Sequence, residues 1–160
     1  MRSKEERSKM TAHVAYEVAA LEVTSDLFRQ AKNRFVFEAF LIHARSLRDF
    51  FWEKQSSRGK RGNDVVAEEF FLDPKVWRTQ KGSRSKSIVD TWNPIDRQLS
   101  HLTWERIDRE RFTNLERYVP ALAAELLAEW ERFLVALNGV DAQQFRDALD
   151  KKRVEVRNTL

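Results

Sequence analysis

Along most of this chain apolar residues return every three or four positions, the interval at which side chains share one face of an α-helix. The run from about residue 10 to residue 31 contains neither Gly nor Pro. On a helical wheel Met10, Val14, Val18, Leu21 and Phe28 form one stripe, and Tyr16, Ala20, Val23 and Leu27 form a second, almost opposite. A helix with two apolar faces has to be covered on both, by neighbours in its own chain or by a second subunit.

The next run, from about 33 to 55, places Val36, Phe37, Phe40, Ala44, Leu47, Phe50 and Phe51 on one broad face, with Glu38, Arg45 and Asp49 opposite. Its length and 3.6-residue period predict helix despite the wealth of Phe. Ser56–Asn63 reads as a loop, and Asp64 as the cap of a short helix through Phe71. Asp73-Pro74 breaks the chain, Trp77 anchors the following turn, and the stretch from Arg78 to Ser87 has no apolar residue and reads as a mobile loop. Asn93-Pro94 reads as a helix start with Ile95, Leu99 and Leu102 inward. Pro120 opens a further helix lined by Leu122, Leu126, Trp130, Phe133 and Leu137, with Glu125, Glu129 and Arg132 expected in solvent. Asn138-Gly139 stops it in a left-handed turn. A weaker amphipathic helix follows from Asp141, with Phe145 and Leu149 inward.

No alternating strand pattern competes with these runs. The expected fold is all-α, an antiparallel four-helix-bundle core with short accessory helices. Residues 1–9 read as a flexible basic N-terminus, 10–150 as one helical domain and 151–160 as a charged tail.

Composition narrows the chemistry. The 160 residues include no Cys, which excludes disulfides, thiolate catalysis and thiolate metal sites. The polar, basic start lacks a signal-type apolar core, and no run is long enough to span a membrane, so a cytoplasmic protein is expected. The net charge is only +4, but Lys54, Arg58, Lys60 and Arg61 cluster in one loop, and Arg78, Lys81, Arg84 and Lys86 in another that contains no acid. The second loop lies between Trp77 and Trp92, so it is a weak candidate for nucleic-acid contact, with RNA as the partner, a solvated loop being the commoner explanation.

The four glycines form no phosphate-cradling loop, and the three histidines have no metal-ligand partner at helical spacing. No cofactor is expected. His43 falls within the apolar face of its helix, so it reads either as a core histidine that requires a hydrogen-bond partner or as the centre of a small-ligand site. Arg97, His101 and Trp104, at i, i+4 and i+7, form a separate ridge that either packs against the long loop or a second chain or presents a cation, an acid–base group and a stacking plane to a ligand. Asp64, Glu68 and Glu69 are explained by first-turn placement, where acids favour the helix dipole.

Three blocks, HARSLRDFF from His43, DVVAEEFF from Asp64 and SHLTWER from Ser100, resemble those of a family of small, uncharacterised bacterial all-helical proteins. More loosely, the chain is similar to HEPN domains, many of which are metal-independent ribonucleases marked by Arg, four to six residues, then His. Here three residues separate Arg97 from His101. That likeness implies Arg97 as the phosphate contact and His101 as the acid–base group. The leading expectation from the residues is a noncatalytic interaction module acting through an interface, with a homodimer as one form. A HEPN-like ribonuclease and a His43 ligand sensor are the alternatives.

Overall fold

A computed structural model describes residues 3–53, 64–100 and 115–159, and among these there is helix but no strand. The elements are α1 (Lys4–Ala31), α2 (Arg34–Trp52), a 3-10 turn (Ala67–Phe70), α3 (Pro74–Gln80), α4 (Lys86–Ser100), α5 (Val119–Leu137) and α6 (Gly139–Thr159).

Helix α1 begins earlier than the apolar stripe, because Ser3 and Glu6 form a capping box. The Ser3 hydroxyl accepts the Glu6 N–H at 3.2 Å, and the Glu6 carboxylate accepts the Ser3 N–H at 2.8 Å. Residues 4–9, expected as a flexible N-terminus, are therefore its first turns. Lys32 ends α1 in the left-handed region with φ 49°, and Asn33 caps α2 by accepting the N–H of Phe35 at 2.8 Å. This short link folds α2 back along α1. Helix α1 also packs along α6 and touches α5, so its two apolar stripes are covered within the chain. Of the nine stripe residues only Tyr16 is exposed.

At one end of the domain the rings of α2, the 3-10 turn, α3, α5 and α6 converge on Phe133. Ring centroids of Phe50, Phe70, Phe71, Trp77 and Phe145 lie 5.2 to 5.9 Å from it. All five are edge-to-face, a geometry that at these distances adds to the gain from removing the rings from water. The Arg7 guanidinium donates to the Glu69 carbonyl at 3.4 Å, placing the start of α1 at this end too. Helices α1 and α6 thus run away from the aromatic end, and α2 and α5 run toward it.

Three further expectations change. Helix α4 starts at Lys86, not at Asn93-Pro94, because Ser85 supplies the cap: its hydroxyl accepts the Ile88 N–H at 3.3 Å. Pro94 consequently lies inside a helix. Asp64 lies outside any helix, the extended Val66 leads into the 3-10 turn instead, and Glu69 reaches back to the Val66 N–H at 3.4 Å. The charged tail from 151 is the last part of α6, held by buried Val156 and by Arg153 on Glu22. Pro120 in the first turn of α5 and the positive φ of Asn138 and Gly139 at its end agree with the sequence. No helix among the described residues is long and apolar enough to cross a membrane.

Candidate functional site

His43 has the partner its position demands. Its Nδ1 lies 2.8 Å from a carboxylate oxygen of Glu17 on α1, and the Tyr16 ring meets it edge-on at 5.7 Å. The imidazole is at the margin of the core, with 13 % of its side chain exposed, and not at the centre of the apolar face. The reason is helical phase: neighbouring Ile42 points outward and Ala44 inward, leaving His43 at their boundary. A core histidine joining α1 to α2 accounts for this geometry.

One turn further along α2, Arg48 is buried at 3 % exposure. Its Nε donates to Asp49 at 2.9 Å and its Nη2 to Asp96 on α4 at 3.0 Å. Arg45 approaches the same Asp96 oxygen at 3.1 Å. Two guanidinium groups of α2 thus fasten α4 through one carboxylate, and multiple charge-assisted bonds are what a buried Arg requires. Burial pushes the Asp49 carboxyl above its ordinary value, against the opposing pull of Arg48. Arg45 and Asp49, expected on the solvent side, belong to this cluster.

Asp96 immediately precedes Arg97, and α4 continues unbroken through both to Ser100. His101 and Trp104 lie outside the described residues, so the Arg97–His101–Trp104 ridge is represented here by the helix that leads into it.

The second basic stretch is tied to the helical core and is not a mobile loop. Arg78 belongs to α3 and pairs with buried Glu68, its Nε donating at 2.6 Å. The Gly82 peptide is held from both sides. Its N–H donates to Glu129 at 2.8 Å, and its carbonyl accepts the indole N–H of Trp52 at 3.0 Å. Glu129, expected in solvent, is 1 % exposed and also receives Arg132 at 2.7 Å. A Cβ on residue 82 would overlap the Arg132 guanidinium and stand 2.8 Å from the Glu129 carboxylate, so a larger residue would have to displace these side-chain ends. Ser85 donates to Glu125 at 2.5 Å. Lys81 and Arg84 also have partners, and Lys86 is exposed at the start of α4. Of the four candidate phosphate contacts, Arg78 is committed to the fold.

Sequence reasoning passed over Arg48 and Glu129, although each carried a signal. Arg48 recurs with Phe40 and Ala44 on the buried face, and Glu129 lies between Leu126 and Phe133 on theirs. A charge in phase with a core stripe has to be paired. No group of three or more potential metal ligands occurs among the described residues. Comparison of the chain with protein-family models, with curated proteins and with solved structures gave no match.

Proposed function

We propose that this protein is a noncatalytic interaction module that self-associates through the outer face of α2. The observation that carries this reading is an apolar pair left in solvent. Phe35 is 81 % exposed and Ile42 50 % exposed, and they lie two turns apart on one face. Half-exposed Tyr16 extends the patch beside His43. Since α1 is covered within its own chain, α2 with its exposed aromatic ring offers an apolar surface for a second copy. An antiparallel four-helix core, with α3 and α4 as the accessory connection between α2 and α5, belongs to the same reading. Light scattering on the full chain tests it. A dimer that becomes monomeric in Phe35→Asp/Ile42→Asp, with helicity unchanged, supports the reading. A strictly monomeric mass at high concentration overturns it.

A second reading, a HEPN-like metal-independent ribonuclease using Arg97 and His101, draws support from the fastening of Asp96 by Arg45 and Arg48. That fastening holds fixed the turn of α4 from which Arg97 departs. Incubation with single-stranded RNA in EDTA tests it. Cleavage that disappears in His101→Ala is the expected result, and intact RNA rules it out.

A further inference from the structure

Away from the aromatic end, where the C-terminal part of α1, the first turns of α5 and the last turns of α6 meet, the surface opens into a groove of about 540 Å³. A volume of this order suits a small molecule. Pro120, Ala123, Ala124 and Leu127 of α5 form an apolar wall of short side chains. The opposite wall is charged. Glu22 and Arg153 close a two-pronged ion pair, with both N–O distances 2.7 Å, and this pair consumes the Glu22 carboxylate. Arg29 stands 3.8 Å from Asp26, both largely in solvent. Arg157 is exposed and has no ion-pair partner among the described residues. Arg153 donates to Asp150 at 3.2 Å as well, so Arg153 is fully engaged and Arg157 is the guanidinium of this wall left for a ligand.

The second observation is Ser25, which lines the same groove. It is only 7 % exposed, yet its hydroxyl makes no hydrogen bond among the described residues. A helical serine ordinarily returns its hydroxyl to the carbonyl one turn earlier, as neighbouring Thr24 does to Ala20 at 2.6 Å. The Ser25 hydroxyl is not one of the fully enclosed unpartnered groups, so it faces the open groove, where water completes it and a ligand oxygen can take the place of that water. The first turn of α5 adds the positive end of a 19-residue helix to the same rim.

We propose that this groove binds a small organic anion, whose carboxylate or phosphate group is taken by Arg157, Arg29 and the Ser25 hydroxyl while its apolar body lies on Ala123, Ala124 and Leu127. The site is independent of the α2 face.

Titration calorimetry of the full chain with phenyl phosphate, benzoate and benzyl alcohol tests this. Saturable binding of at least one of the two anions is expected, the tighter of them identifying the preferred headgroup. Arg157→Gln should weaken that binding about tenfold, as expected for one charge-assisted hydrogen bond. Ser25→Ala should also weaken it, while its melting temperature stays level or rises because no bond within the fold is lost. Arg146→Gln, an exposed charge change elsewhere on α6, should leave binding unchanged. Absence of saturable binding by both anions overturns the proposal. So does equal affinity for benzyl alcohol, an equal loss in Arg146→Gln, or a lower melting temperature in Ser25→Ala.

Discussion

The two ends of this molecule treat polar groups in opposite ways. About 27 Å of α1, at 1.5 Å per residue, separates Arg7 at the aromatic end from Ser25 in the groove. At the aromatic end Phe133 is enclosed by rings, and the carboxylates beneath them are all engaged: Glu68 by Arg78, and Glu129 by Arg132 and the Gly82 amide. At the groove end the packing residues are Ala and Leu, one arginine lacks a counter-ion among the described residues, and a nearly buried hydroxyl is unused. Close-packed rings leave no room for a ligand, whereas small side chains beside charges do. The contrast locates stability at one end and adaptability at the other. A single buried group departs from it. The Trp130 indole N–H, among the rings, has no hydrogen-bond partner among the described residues.

The largest test of the contrast is truncation at the centre of the rings. Phe133→Ala should cost about 3–5 kcal/mol in urea unfolding, the range for removing a buried aromatic side chain. Leu127→Ala, in the groove wall, should cost well under half as much because Leu127 is only partly buried. Equal costs would abolish the distinction between the ends.

Next comes Glu129→Ala, which leaves the Gly82 amide unpaired and should destabilise by about 1–3 kcal/mol, the penalty for an unsatisfied buried polar group. The same variant should speed proteolysis between α3 and α4, since the Gly82 peptide loses one of its two anchors. Unchanged cleavage would show that the Trp52 bond suffices. His43→Ala should have a smaller effect, about 1 kcal/mol for the lost Glu17 bond, readable as a lower thermal midpoint.

The smallest effect concerns pH. Burial raises the folded-state pKa of Asp49, so the folded protein binds the proton more tightly than the unfolded chain. Its contribution to stability is therefore most favourable below the ordinary carboxylate pKa and is lost as pH rises through the raised value. Thermal midpoints of Asp49→Asn and the parent should be compared from pH 3 upward. The advantage of the parent should shrink across that window, and a constant difference would remove the burial argument.

Much of the helical content is legible in the sequence because it depends on local spacing. The stripes on α1, α2, α5 and α6, Pro120 at the start of α5 and the Asn138-Gly139 turn act within a few residues. The failures have a common cause. Asn93-Pro94 carries a good local start signal, but Ser85 had already capped α4, and the bonds of Ser85 to Glu125 and of Asp96 to Arg48 hold that helix in place. The Arg78–Ser87 stretch looked mobile because it lacks apolar residues, yet it is fastened by a carboxylate and an indole from distant helices.

What the sequence determined by itself is the helical class, the main apolar faces, the absence of thiol chemistry and the need of His43 for a partner. The tertiary structure alone decided which partner each polar group receives. Glu17 meets His43 across 26 residues, Arg48 meets Asp96 across 48, and Glu22 meets Arg153 across 131. Periodicity assigns a side chain to a face of its own helix through local geometry. It carries no information about which other helix that face will meet, and it is that meeting which pairs the buried charges and leaves Ser25 beside an open groove.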